Sequence, residues 1–215
     1  MTLSFKEDHI SQIPALMMLE KVGYTYLTPA EAMELRGGNA SNVLLEPILR
    51  EQLAKINTVQ VSSQRTTVFS EQNITAGIEA LRNLPMAEGY MTASHVAYDL
   101  LTAGKTLEQI VDGDKKSYVM QYIDWKHIEN NAFHVVEEFA VSRTGMSDTY
   151  RPDIVLFVNG IPLCVIECKR PDIKDSLKQA ISQHLRNQKE DGIRSLYVYS
   201  ALLLATNVNE VSYAT

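Results

Sequence analysis

Three residues in one stretch of this chain have the types and spacing of a hydrolytic site. The stretch is Arg151-Pro152-Asp153-Ile154-Val155-Leu156-Phe157-Val158-Asn159-Gly160-Ile161-Pro162-Leu163-Cys164-Val165-Ile166-Glu167-Cys168-Lys169. It reads as an apolar strand, an Asn-Gly turn and a second apolar strand. The second strand ends in Glu167 and Lys169, two residues apart. A period of two puts both on one face, beside Val165 rather than the cysteines. A carboxylate there is costly unless it meets a cation, and Lys169 alone can be that cation. If Asp153 joins them, two carboxylates and a backbone carbonyl suit a hard divalent cation, most of all Mg²⁺. Such a cation activates water and neutralises charge on a phosphoryl oxygen. The lysine orients or deprotonates that water, or stabilises the charge that develops. A purely structural use of the same residues, an Asp-capped turn and a cross-strand ion pair, competes with this chemistry.

The turn decides whether Asp153 reaches Glu167. A two-residue Asn159-Gly160 turn pairs Val158 with Ile161, so Asp153 lies opposite Ile166 and faces away. A three-residue Val158-Asn159-Gly160 turn, with Gly160 left-handed, pairs Phe157 with Ile161 and brings Asp153 to the face of Glu167 and Lys169. The residues permit both. The chemistry needs the second, or a bulge in one strand with the same effect, and that is the expectation.

The elements around the hairpin follow from periodicity. Residues 9–21 place Ile10, Ile13, Met17 and Leu19 at near-helical spacing before Gly23. Ser41 or Asn42 can cap a second helix carrying Val43, Leu44, Ile48, Leu49, Leu53 and Ile56, with Pro47 delaying or bending its start. A third helix fits Glu71 to Leu84 behind Ser70, and a fourth fits Ala93 to Ala103 behind Thr92. Strands are expected at 117–123, 132–141, 154–158, 161–168, 195–199 and 202–206, with a helix at 173–189 between the fourth and fifth. On that helix Leu177, Ala180, Ile181 and Leu185 form an apolar stripe, and Gln179, Gln183 and Arg186 a polar one. After the last strand, NVNEVSYAT offers no closing element. The layout is α/β, a mainly helical first half followed by a mixed sheet.

Composition narrows the class. The chain has 215 residues, 45% hydrophobic and 21% charged, which excludes a disordered tract. No apolar run is long enough for a membrane span, and the first ten residues lack a signal peptide's apolar stretch. Cys164 and Cys168 point the same way along one strand and bridge poorly, so a reducing, cytoplasmic setting is expected; a zinc site is not. They read as small core residues. Trp125 reads as a core or interface anchor, Tyr197 and Tyr199 as sheet residues, and His134 and His184 as packing rather than ligands. The net charge of −6 argues against a protein that coats nucleic acid. Yet Lys169 to Arg194 holds seven Lys/Arg against four Asp/Glu, which suits either a local anion site or a solvated helix face.

Asp153 followed by Glu167-x-Lys169 on the next strand resembles the PD-(D/E)xK nuclease motif, with Pro152 as its leading proline. The longer run from Arg151 to Lys169 resembles the R (restriction, translocating) subunit of type I restriction-modification enzymes. So do Asp124-Trp125, Glu129 to Phe133, Val135-Val136, Gly23-Tyr24 and Val43 to Asn57. The resemblance implies a restriction-endonuclease-like mixed β-sheet flanked by helices. A helical part at 1–110 would pack on a nuclease core at 111–215 as one compact domain. It implies Asp153, Glu167 and Lys169 as catalytic residues, with Mg²⁺ on the two acids, weakly held without DNA. The family often adds a glutamine and, four residues later, a tyrosine; here these positions are Gln183 and Asn187, so the glutamine carries over and the aromatic does not. Glu46 is the candidate for a further glutamate from an earlier helix. Lys169, Arg170, Lys174, Lys178 and Arg186 are the candidates for DNA phosphate contacts.

The implied function is a type I site-specific deoxyribonuclease acting on double-stranded DNA, with modification and specificity subunits as partners. A separate specificity subunit would read the bases. ATP would enter only through helicase-like motor domains of the same subunit. This chain has no G-x-x-x-x-G-K-[ST] loop and ends about where a motor is expected. A catalytically silent module of nuclease-like fold, and another PD-(D/E)xK repair nuclease, are the alternatives.

Overall fold

The computed structural model describes residues 11–62 and 65–215. Helix α1 (Ile13–Lys21), strand β1 (Thr25–Leu27) and helix α2 (Pro29–Leu35) come first. Next are α3 (Glu46–Ile56), the hairpin of β2 (Thr58–Ser62) and β3 (Arg65–Val68), α4 (Glu71–Arg82), α5 (Tyr90–Ala103), and the hairpin of β4 (Lys105–Val111) and β5 (Asp114–Met120). Then follow β6 (Phe133–Glu137), β7 (Val141–Ser142), β8 (Thr149–Tyr150), β9 (Ile154–Val158), β10 (Ile161–Cys168), α6 (Ser176–Asn187), α7 (Arg194–Tyr197), β11 (Leu202–Thr206) and β12 (Val211–Ala214).

The chain divides into two compact units, and not by one cut along the sequence. One unit holds residues up to Val43, Phe133–Phe157 and Ile161–Thr215; the other holds Leu44–Ala132 and Val158–Gly160. The first unit contains a mixed six-stranded sheet in the order β1-β6-β9-β10-β11-β12. β1 and β6 are parallel, as are β10 and β11, while β11 and β12 are antiparallel. Parallel neighbours need a long crossover, and α6 with α7 supplies it between β10 and β11.

Strand parity sorts the residues of this sheet. Ile154 and Leu156 of β9 share one cluster with Cys164, Ile166 and Cys168 of β10, Val135 of β6 and Leu16 of α1. The odd-numbered residues of β9 and β10, Glu167 among them, take the other face. Both faces are covered, so both strands are almost entirely buried. This is why they read as continuous apolar runs rather than alternating ones.

The hairpin turn rules out the first of the two expected routes and leaves the second, a bulge. The turn has two residues, and Asn159 (φ 52°) and Gly160 (φ 81°) are both left-handed, the φ signature of a type I′ turn. A regular two-residue hairpin would set Ile154 opposite Val165, on the face away from Ile166. Their shared cluster with Ile166 implies that the pairing slips by one residue along the hairpin, as a bulge does. Asn159 is fully buried, and its side chain is saturated. Its Oδ1 accepts from the Ala132 N–H (2.8 Å), and its Nδ2 donates to the Tyr122 carbonyl (2.9 Å) and Asn131 Oδ1 (2.8 Å). The side-chain amide thus stabilises a left-handed residue in a buried turn.

Other boundaries moved for identifiable reasons. Ile10 lies outside the described residues. On α1, Ile13 and Met17 are exposed and Leu16 is the buried residue. α3 starts at Glu46, not near Ser41, with Pro47 in its first turn, where a missing N–H costs nothing. Ser70 caps α4 as expected, its hydroxyl accepting from the Asn73 N–H at 3.3 Å. α5 begins at Tyr90, ahead of Thr92. The strand expected at 132–141 breaks at Glu138, which is left-handed (φ 48°). The segment Ser195–Tyr199 is not a strand: Arg194–Tyr197 is helical, and burial of Leu196 and Tyr197 overrides the β-propensity of its tyrosines and valine. The terminal segment does close the sheet, as the edge strand β12. Helix α2, with its Thr28–Glu31 capping box, and strands β1 to β4 went unread in the sequence.

Gly160 gives a direct check on the turn. A Cβ at this position would sit 2.6 Å from the Leu45 carbonyl oxygen, besides needing a left-handed conformation. The conformation alone costs about 1–2 kcal/mol. Gly160→Ala is expected to lower unfolding stability by at least that much in urea titration; an unchanged midpoint would contradict the geometry.

Candidate active site

Glu167 is the fixed point of the site. It is fully buried near the end of β10, an otherwise apolar strand. Asp153 stands just before β9, and its backbone is pinned from two sides. Its carbonyl accepts from the Glu138 N–H (3.0 Å) and from Gln12 Nε2 (3.1 Å). Its Oδ2 accepts from the Cys168 N–H at 2.6 Å, which ties the start of β9 to the end of β10. Lys169 follows directly on β10, and its N–H donates to the Thr206 carbonyl of β11 (2.8 Å). Its ammonium donates to the Cys168 carbonyl (2.9 Å) and lies 3.5 Å from Asp153 Oδ2. The Asp153 and Lys169 side chains are 14% and 11% exposed, so the site keeps a narrow opening to solvent. The structure thus brings together the three residues that the sequence singled out.

Burial dominates the electrostatics of the site. Burial pushes the Glu167 carboxyl up to about 9, and the neighbouring Asp153 carboxylate adds to the effect. Lys169 and Arg186 pull the other way and do not win. Glu167 Oε1 accepts from Asn187 Nδ2 (3.2 Å), whereas Oε2 is buried without a hydrogen-bond donor. A proton shared with the Asp153 carboxylate is one way to satisfy Oε2, and burial pushes Glu167 in that direction.

A divalent cation is the other way to satisfy Oε2. Asp153, Glu167 and the Cys168 carbonyl form an all-oxygen donor set, which fits Mg²⁺. The Lys169 ammonium already rests on two of these oxygens, so positive charge is accommodated at that place. No cluster of three His, Cys, Asp or Glu side chains suited to a metal occurs among the described residues, so the remaining ligands would be water and phosphate oxygens.

Helix α6 presents a different face from the one expected. Its buried residues are Ser176, Ala180, His184 and Asn187, while Ile181 and Leu185 are exposed. Buried polar groups hold this face down. Ser176 Oγ accepts from Asn207 Nδ2 (2.8 Å), and the His184 ring bonds to Tyr197 Oη and to the Leu204 carbonyl, each at 2.9 Å. Asn187, at the position where the resembling family carries tyrosine, is the α6 residue that touches Glu167. Gln183 is half-buried one turn earlier.

Other sequence candidates are placed as follows. Glu46 opens α3 in the second unit, where its carboxylate is paired with Arg82 (Oε1 to Nε 2.9 Å). Arg186 stacks on Tyr150, 4.4 Å from the ring centre, and donates to Asn187 Oδ1 (3.1 Å). Arg170 pairs with Asp172 (2.9 Å) and Lys178 with Asp175 (2.8 Å), and Lys174 is exposed. Trp125 is 57% exposed, not a core anchor, with its indole N–H on the Leu101 carbonyl. No described helix is long and apolar enough to cross a membrane. Sequence reasoning missed Asn187, His184 and Tyr197 as site residues. Asn187 could have been found as the occupant of the family's tyrosine position; Tyr197 gave no signal, because its segment reads as a strand.

Comparison with known proteins places the chain in a family. Residues 4–215 match the family described as type I restriction enzyme R protein N terminus. The chain is 25% identical over 210 residues to the putative type I restriction enzyme MjaIXP endonuclease subunit of Methanocaldococcus jannaschii, covering 97% of this chain and 19% of that subunit. It is 29% identical over 208 residues to the type I restriction enzyme HindI endonuclease subunit of Haemophilus influenzae, covering 94% of this chain and 18% of that one. A third relative, the type I restriction enzyme EcoprrI endonuclease subunit of Escherichia coli, is 24% identical over 214 residues, 99% of this chain and 59% of the relative. The chain thus spans about one-fifth of the first two relatives. The matched family and the site geometry lead to one assignment: this chain belongs to the type I restriction enzyme R protein N-terminal family.

Proposed function

We propose that this chain is the DNA-cleaving domain of a type I restriction enzyme, hydrolysing phosphodiester bonds of double-stranded DNA with Mg²⁺. One observation carries the reading: Asp153, Glu167 and Lys169 converge, and a buried Glu167 oxygen there lacks a donor. Asp153, Glu167 and the Cys168 carbonyl would hold Mg²⁺, which when bound makes a coordinated water more acidic and neutralises charge on the phosphoryl oxygens. Lys169 would then leave the Cys168 carbonyl and turn to the attacking water, orienting it as an ammonium or, once it has itself lost a proton to solvent, taking the water's proton as a neutral amine. Asp153 and Glu167 stay fixed by the Cys168 N–H and by Asn187, so that little reorganisation accompanies the reaction. Arg170, Lys174 and Lys178 would meet backbone phosphates once DNA displaces their carboxylate partners or water. Modification and specificity subunits, and ATP-driven motor domains of the intact subunit, complete the proposed assembly. A cytoplasmic location follows from that role.

In the intact enzyme, Asp153→Ala, Glu167→Ala and Lys169→Ala are each expected to cut DNA cleavage by at least about 10²-fold. ATP-driven translocation, followed by triplex displacement, should continue. A variant that cleaves at the parent rate would remove that residue from the assignment.

Glu167 also makes stability depend on pH. Its carboxyl is raised from 4.5 to about 9 on folding, so the folded state keeps a proton that the unfolded state releases. That contribution is complete below about pH 4.5 and is lost as pH rises towards 9. Without metal, Glu167→Gln is expected to raise the melting temperature at pH 8.5 and to change it least near pH 5. Parallel melting curves for parent and variant across this range would contradict the buried protonated carboxyl.

A further inference from the structure

We propose that Asn187 is the positioning residue for Glu167, selecting Oε2 as the oxygen that faces the cation site. The hydrogen bonds around Asn187 leave its amide one orientation. Arg186 has only donors, and its Nε and Nη2 lie 3.3 and 3.1 Å from Asn187 Oδ1. Oδ1 is therefore turned to the guanidinium, and Nδ2 points inward. There it donates to Glu167 Oε1 (3.2 Å) and to Tyr197 Oη (3.3 Å), using both of its hydrogens. The far end of the network is equally determined. The Leu204 carbonyl can only accept, so His184 Nε2 carries the hydrogen of that 2.9 Å bond. Burial holds the His184 ring towards its neutral form, leaving Nδ1 to accept from the Tyr197 hydroxyl at 2.9 Å. Donors thus run from Arg186 through Asn187 to Glu167, and Tyr197 is locked against strand β11 through His184.

Asn187, His184 and Tyr197 are all buried, which makes every one of these bonds costly to leave unmade. The consequence for Glu167 is geometric. With Oε1 engaged by Asn187, the carboxylate plane is set, and Oε2 is the atom left without a donor beside Asp153. Of the two acids, Asp153 before β9 and Glu167 near the end of β10, the second is thus held by Asn187 of α6, which Tyr197 of α7 supports. Such supporting contacts are worth about 10- to 100-fold in metal affinity where they have been removed elsewhere.

The inference rests on the nuclease reading for the use made of Glu167, and the test separates the two. Mn²⁺ is titrated into the 215-residue chain, and the free ion is followed by its paramagnetic resonance signal. Asn187→Leu, which keeps volume and removes both donors, is expected to weaken Mn²⁺ binding about tenfold. Ser176→Ala removes a different buried hydrogen bond of the same helix and is expected to leave Mn²⁺ affinity unchanged. A merely structural role for Asn187 would make both variants behave alike, and that result overturns the proposal. So does parent-like affinity in Asn187→Leu when Glu167→Ala abolishes binding. Parent-like affinity in Glu167→Ala instead removes the metal-site reading itself, and the positioning role with it. If Asn187→Leu fails to fold, Asn187→Ser, too short to reach Glu167, is held to the same expectations.

Discussion

A carboxylate with no exposed surface, set in an apolar strand, is the constraint to which the rest of the first unit answers. An ion in that place is unstable unless a cation or a proton satisfies it. Every neighbour of Glu167 addresses this. Lys169 and Arg186 supply charge, Asn187 supplies a donor to one oxygen, and Asp153 stands ready as acceptor for a proton on the other. The remaining deficit is one buried oxygen of Glu167 without a hydrogen-bond partner.

Another buried charge in the same unit shows the contrast. Arg36 is 2% exposed, yet each of its guanidinium nitrogens donates a hydrogen bond. It donates to the carbonyls of Ala32 (3.2 Å), Asn42 (3.1 Å) and Ala140 (2.8 Å), and it stacks 4.0 Å from the centre of the Phe139 ring. Burial lowers it only to about 10, so it stays charged and structural.

The trio of Asp153, Glu167 and Lys169 was legible because its convergence depends on local rules. Strand parity set Glu167 with Lys169, and the motif spacing named Asp153. The helix face was not legible, since hydropathy ranks Ile181 and Leu185 above His184 and Asn187 as buried residues. The order is reversed because the polar pair finds Tyr197, Leu204 and Glu167, partners distant in sequence. The same holds for Tyr197, whose segment has β-propensity but folds as one helical turn under the sheet's crossover. The hairpin was half legible. The need for Asp153 and Glu167 on one face was sound. Of the two expected routes the three-residue turn does not occur, because Asn159 takes the left-handed conformation with Gly160 through its bonds to Tyr122, Ala132 and Asn131; the bulge is the route that the shared cluster of Ile154 and Ile166 implies.

The most direct test of the central claim is where a divalent ion sits. Anomalous scattering from a Mn²⁺-soaked crystal of this chain is expected to show one peak bonded to an Asp153 oxygen and to Glu167 Oε2. The Lys169 ammonium should then be displaced from the Cys168 carbonyl. A peak elsewhere, or Glu167 Oε2 still without a partner at saturating Mn²⁺, would contradict the reading of this buried carboxylate pair as the cation site.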